Sequence, residues 1–242
     1  MLVVPEAARI SCWLNAWLTG RESTDQTIDA VSWGRRRVEF IGVAKLESLS
    51  AALLLGELRR LLVSRVSVAL PRPGELAGLG GPSEFNAAAL EAGEAVVLHG
   101  PGLGLLPARR GNVTSWFSTA ATPPPYLPDI QHADRELRAA VLHAAERLAE
   151  LDVASWSPDA ADAVLNLRVS EQLGCPMALP SAAATRMTIS ALRCNSIVDL
   201  ASRDHGGAAT SNEMSARSAA LRPLRRASHA ALVAACSSLD GR

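Results

Sequence analysis

A histidine and two adjacent arginines flank one glycine-rich turn in this chain of 242 residues. His99 ends an apolar run, and Arg109 and Arg110 follow the segment GPGLGLLPA. An imidazole can take or give a proton near neutrality, and a guanidinium fork holds a carboxylate or phosphate. Upstream, Gly80, Gly81, Ser83 and Asn86 lie where a Gly/Pro loop passes into a helix. Backbone N–H groups at a helix start attract anions. Gly80, Gly81, Ser83, Asn86, His99, Arg109 and Arg110 therefore form the candidate binding site for a small anionic ligand. Several features weigh against it. The lysine and terminal Ser/Thr of a P-loop are missing, and no G-x-G-x-x-G occurs. Glu84, in the first turn, already supplies the negative charge that an anion would bring. His99 has no partner visible in the sequence.

Other chemistries are poorly supported. Cys12, Cys175, Cys194 and Cys236 are widely scattered, without metal or redox spacing. Asp204 and His205 are adjacent, but no second ligand pair stands at helical spacing, so no metal site is expected. Asp159 and Asp162 share a helix face, where a first-turn position suits a dipole role. There is no G-x-S-x-G elbow. The sequence thus offers no catalytic residue and calls for no cofactor.

The elements that would position the candidate site read clearly. Val66, Val68 and Leu70 alternate with small residues as in a strand covered on both faces. Pro71, Pro73 and Gly74 end it. With Gly81 as N-cap, Pro82 falls at the first helical position, and the helix stops at Gly93. Ala95 to Leu98 is a second strand. Asn112 to Ser118 alternates and is expected to pair antiparallel with that second strand across the loop that carries Arg109 and Arg110 at its tip, with Gly102 to Leu106 a further short strand. Arg37 to Val43 is the first strand and Leu46 to Leu62 a helix. Together with the strand at Val66, they read as a βαβ-like unit. The basic triplet Arg35 to Arg37 is a solvated turn before that strand.

Before these, Pro5 to Thr19 is a helix with Trp13 and Trp17 on its apolar face. Ser23 and Gln26 have capping-box spacing for a short helix. Trp13, Trp17 and Trp33 are read as core under the first strand. Three prolines at 123–125 mark a boundary, and everything after it is helical. Gln131 to Leu151 carries a heptad-like seam through Leu137, Val141, Ala144 and Leu148. Further helices are expected from Ser157 to Arg168, from Ser181 to Arg203, and from Thr210 with an interruption at Pro223. The predicted fold is α+β: a small mixed β-sheet with crossover helices in the N-terminal half, followed by an all-helical C-terminal half. Residues 1–121 form the α/β region, 122–130 a Pro-rich linker, and 131–242 a helical region able to pack with the first as one domain.

Composition bounds the partners. Hydrophobic residues make up 48%, which allows a sizeable core. Formal net charge is zero, with 24 basic and 24 acidic residues, which argues against general attraction to nucleic acid or an anionic membrane. From Ser181 onward eight arginines face four acids, and Arg217, Arg222, Arg225 and Arg226 concentrate the excess. DNA binding through these helices is the weaker alternative, because the loop around Gly206-Gly207 is too long for a helix-turn-helix. Leu46 to Val63 carries four charges, too many to span a bilayer. Free cysteines at low density suit a reducing cytoplasm.

The run LPRPGELAGLGGPSEFNAAALEAGEAVV, with the later ALRPLRRASHAALVAAC, resembles uncharacterised alanine-rich proteins of high-GC bacteria. That resemblance covers nearly the whole chain and implies no activity, cofactor or site residue. The sequence expectation is a non-catalytic cytoplasmic protein that acts through protein–protein contacts, with a partner or with itself. The alternative is an enzyme or sensor for the small anionic ligand.

Overall fold

A computed structural model describes residues 1–150, 172–203 and 211–239. The expected helix from Ser157 to Arg168, the Asp159–Asp162 pair, the Asp204–His205 turn and the capping residue Thr210 lie outside the described residues.

The chain runs α1 (Glu6–Leu18), α2 (Thr24–Val31), β1 (Arg37–Ile41), α3 (Ala51–Arg60), β2 (Arg65–Ala69), α4 (Ser83–Ala92), β3 (Ala95–His99), β4 (Leu103–Arg110) and β5 (Val113–Ala120). Three long helices follow: α5 (Ile130–Glu150), α6 (Ala182–Arg203) and α7 (Ser211–Ser237). The architecture is the expected α+β arrangement, a mixed sheet in the first half and helices in the second.

The five strands stand in the order β1-β5-β4-β3-β2. Every pairing is antiparallel except β1 with β5. This corrects the βαβ reading of 38–70, because β1 and β2 are opposite edges of the sheet. The β1 edge is completed by β5, which arrives from the far end of the hairpin. Helix α3 is also shorter than the expected Leu46–Leu62. Leu49 runs extended and exchanges backbone hydrogen bonds with Phe40, at 2.9 and 2.8 Å. Ser50 then caps the helix by accepting from the Leu53 N–H at 3.4 Å. Pro82 stands at the N-cap of α4 rather than at its first helical position, so the helix begins one residue later than predicted. Pro223 lies inside one continuous helix, α7.

Alternation along the strands sorts the sheet into two faces. Val66, Val68, Val96, Leu98, Leu105 and Trp116 belong to the main core, shared with α1 and the C-terminal helices. Ala69, Ala95 and Val97 point the other way and meet Phe85 and Ala89 of α4. Gly104 permits that contact, since a Cβ there would stand 2.3 Å from the Phe85 ring. Helix α1 is the centre of the molecule, with every residue from Ala7 to Trp17 buried. Trp13 and Trp17 are core, as expected, but Trp33 is 52% exposed.

A helix buried all round must satisfy its polar side chains internally. Asn15 does so through edge strand β2. Its Nδ2 donates to the Val66 carbonyl at 2.7 Å and its Oδ1 accepts from the Val66 N–H at 2.8 Å. Nδ2 also reaches the Cys236 carbonyl on α7 at 3.3 Å. Asn15→Ala would leave both backbone groups of the fully buried Val66 without partners. The expected loss is about 3 kcal/mol. Calorimetric melting should show it as a fall of roughly 6–12 °C. An unchanged melting temperature would refute this role.

Candidate functional site

The sheet register separates the residues singled out from the sequence. His99 lies at the end of β3 beside Leu103, because Leu98 pairs with Leu103. Gly80 and Gly81 lie at that same end, against the segment after β5. The Gly81 carbonyl accepts from the Thr122 N–H at 2.7 Å. A Cβ on Gly80 would stand 2.3 Å from the Pro123 carbonyl oxygen. Gly80 is therefore required by a close backbone approach. Ser83 opens α4, and Asn86 follows one turn along it. Arg109 and Arg110 end β4, six or seven residues from Leu103, which is roughly 20 Å along a strand. The two groups do not converge on one site.

His99 and Arg109 have local partners, whereas the Asn86 Oδ1 is buried without one. The His99 Nε2 is 2.9 Å from Ser67 Oγ, a pairing that links β3 to β2. Burial, and then the Arg65 charge, lower the His99 pKa. Ser67 is fully buried and His99 half-buried. Arg109 is held by Glu94 and by Glu6, the latter at 3.1 Å. Glu6 also binds Arg35. Burial pushes the Glu6 pKa up, but the Arg35 hydrogen bond and the two arginine charges outweigh it and the net shift is downward. Glu94 is 7% exposed and accepts the Ala7 N–H at 2.7 Å, capping α1 from a distant segment. Burial dominates at Glu94 and raises its pKa.

Convergent polar groups instead line a cleft between the two halves of the chain. It lies among Arg72 after β2, Gly93–Glu94 before β3, Asn195 and Asp199 of α6, and Arg225 and His229 of α7, with a volume of about 300 Å³. His229 is 5% exposed. Burial first, and then the Arg72 and Arg225 charges, lower its pKa to about 4, while a hydrogen bond with the Leu70 backbone works the other way. The ring is neutral at physiological pH. Its Nδ1 and the Asn195 Oδ1 are buried without a hydrogen-bond partner. Each such atom costs on the order of 1–3 kcal/mol. Arg225 pairs with Asp199 at 3.0 Å. Arg72 donates to the Gly93 and Pro71 carbonyls, at 3.2 and 3.3 Å. Sequence reading missed this cleft because Arg72, Asn195 and His229 share no motif. The one available signal was a histidine inside an apolar helix segment, AALVAAC after Ser228-His229.

A second opening is apolar. Helices α5 and α6 both pack on α7 but meet each other far less. Between them lies a groove of about 720 Å³, lined by Ile130, Leu137, Val141, Leu142, Met187 and Ile197 among others. Leu142 is 66% exposed and Val141 40%. Val141 belongs to the expected heptad seam, yet it faces this groove while Leu137 and Ala144 are buried.

Three of the four cysteines, Cys12, Cys175 and Cys236, lie near one another. Cys12 Sγ lies 3.9 Å from the Cys236 carbonyl. Burial, and then the neighbouring Cys236, push the Cys12 thiol well up. Burial likewise raises Cys175. Raised thiols are poor nucleophiles. Among the described residues no group of histidine, cysteine and acidic side chains could hold a metal ion. Nor is any described helix long and apolar enough to cross a membrane.

Comparison with known proteins places the chain. Residues 7–130 match the model of the Rv1486c-like protein N-terminal domain, and residues 131–233 that of the Rv1486c-like protein C-terminal domain. The chain belongs to this family. It is similar to the uncharacterized protein Rv1486c of Mycobacterium tuberculosis strain H37Rv. The identity is 31% over 190 residues, covering 60% of this chain and 65% of that protein. The uncharacterized protein MT1533 of strain CDC 1551 matches to the same extent. The chain thus spans just under two thirds of these relatives' length. No solved structure matches it.

The buried His229 makes a pH prediction. Its folded pKa lies below the ordinary value of 6.5, so the unfolded chain takes up the proton first as pH falls. Stability contributed by the neutral ring is complete above pH 6.5 and is lost down to about pH 4. The loss amounts to roughly 3 kcal/mol. Denaturant titrations at both pH values should show His229→Gln losing less stability across that window than the native chain. Equal losses would contradict the assignment.

Proposed function

We propose that this member of the Rv1486c-like family is a non-catalytic protein that acts through protein–protein contacts, with the α5–α6 groove as the docking surface. One observation carries the reading: Val141 and Leu142 remain exposed on the wall of an apolar groove between two long helices. Soluble chains rarely leave such a patch without a use. A furrow between helices accepts the apolar stripe of an amphipathic helix, with anchors at i, i+3 or i+4, and i+7. The lining also carries Arg186, and Arg138 paired with Asp134. The helix that fits has leucines on one face and glutamates beside them. The buried, raised thiols suit a cytoplasmic setting.

A stapled amphipathic peptide of that pattern tests the reading by fluorescence anisotropy, alongside light scattering over a range of protein concentration. The peptide should bind, and Leu142→Asp should weaken binding by about tenfold or more while leaving the melting temperature unchanged. Concentration-dependent dimers abolished by Leu142→Asp would identify a second copy as the occupant. A protein that stays monomeric and ignores the peptide would refute the proposal.

A further inference from the structure

We infer that the cleft between Arg72, Asn195 and His229 is a binding site for a small anion that also carries hydroxyl donors, of the class of sugar phosphates and sugar acids. The site is separate from the α5–α6 groove and shares no lining residue with it.

The argument is one of matching groups. Two acceptors are buried in the cleft without partners, the Asn195 Oδ1 and the His229 Nδ1. His229 is more than nine-tenths buried. Its ring is neutral and engages the Leu70 backbone, so Nδ1 presents a lone pair. Groups of this kind call for a ligand with O–H donors. Charge supplies the second half. Both acidic residues of the cleft are committed, Asp199 to Arg225, and Glu94 to Arg109 and the Ala7 N–H. Arg225 is neutralised by its pair. Among the described residues, Arg72 bonds only carbonyl oxygens, those of Pro71 and Gly93. It remains a cation without a carboxylate, placed close enough to His229 to be the leading charge that depresses its pKa. One uncompensated guanidinium and two unsatisfied acceptors describe a ligand with one anionic head and adjacent hydroxyls. The volume of about 300 Å³ lies at the lower end of small-molecule pockets. The location is also apt, because pockets favour the meeting of two structural units. The cleft draws Arg72 and Glu94 from the sheet region and the rest of its polar lining from the last two helices.

Isothermal titration of the full chain with gluconate, glucose 6-phosphate, inorganic phosphate and glucose tests this. Gluconate or glucose 6-phosphate should bind, and which of the two binds more tightly identifies the anionic head. Inorganic phosphate should bind at least about tenfold more weakly, because it lacks the adjacent hydroxyls, and glucose should not bind measurably. Arg72→Gln should cost a further factor of about ten or more, since it removes the cation. Arg72 is exposed, so that variant should fold normally. Asn195→Ala should weaken the hydroxylated anions while leaving inorganic phosphate unchanged, a pattern that a merely structural asparagine would not produce. The inference falls if neither hydroxylated anion binds. It also falls if binding survives both substitutions, or if inorganic phosphate binds as tightly as the sugar anions.

Discussion

The outer edge of β2 must be satisfied by something other than a strand, and much of the molecule follows from how that is done. An edge strand offers a row of unpaired N–H and C=O groups, which in an exposed sheet invites association. Here the edge is covered. Asn15 of α1 bonds both backbone groups of Val66, and Ser237 at the end of α7 accepts from the Val68 N–H at 3.1 Å. One side chain from each half of the chain therefore acts as a rung of the sheet. This draws α1 and α7 onto the same strand and joins their apolar faces into one core that runs from Leu2 to Cys236.

The N-terminal end of α1 is held in the same way. Its Ala7 N–H is capped by Glu94, which stands just before β3, and Glu94 is in turn clamped by Arg109 from β4. Arg9, although 3% exposed, is satisfied by the Ala30 carbonyl. Burial lowers its pKa, and the nearby acids act against that shift. Charges in so dry a setting contribute more to a single arrangement than to net stability. The junction cleft is a consequence. Anchoring Glu94 to α1 places Gly93 and Arg72 beside α6 and α7, and the polar residues of those helices face the gap.

Local structure was legible wherever the code is local. Ser23 and Gln26 form the capping box their spacing announced. Gly93 takes the left-handed conformation that ends α4, with φ of 76°. The alternation of NVTSWFS marked β5, but the 95–98 strand expected to pair with it is separated from it by β4, which pairs with both because the chain turns back at Gly111-Asn112 directly after Arg110. Helix α3 departs from expectation because Leu46 to Leu49 satisfies the β1 edge instead of continuing the helical stripe. Propensity yields there to a backbone partner distant in sequence. The candidate site was less legible. The glycines at 80 and 81 were correctly noticed as special, but Gly80 answers to the backbone of Thr122 and Pro123. Arg109 was noticed too, and its partners turn out to be Glu6 and Glu94.

The sequence alone determined the class of fold, the approximate place of most helices and strands among the described residues, the alternation that sorts residues between two sheet faces, and the absence of a familiar catalytic motif. These follow from periods of two and 3.6 residues and from caps within four positions, which are properties of neighbouring residues. Tertiary structure alone decided that β1 and β2 are opposite edges, that Asn15 completes the sheet, and that Arg72, Asn195 and His229 face one another. Each of these depends on contacts across tens to hundreds of positions. Such contacts are chosen by the common burial of apolar faces and the need to pair buried backbone groups, and no local pattern encodes that choice.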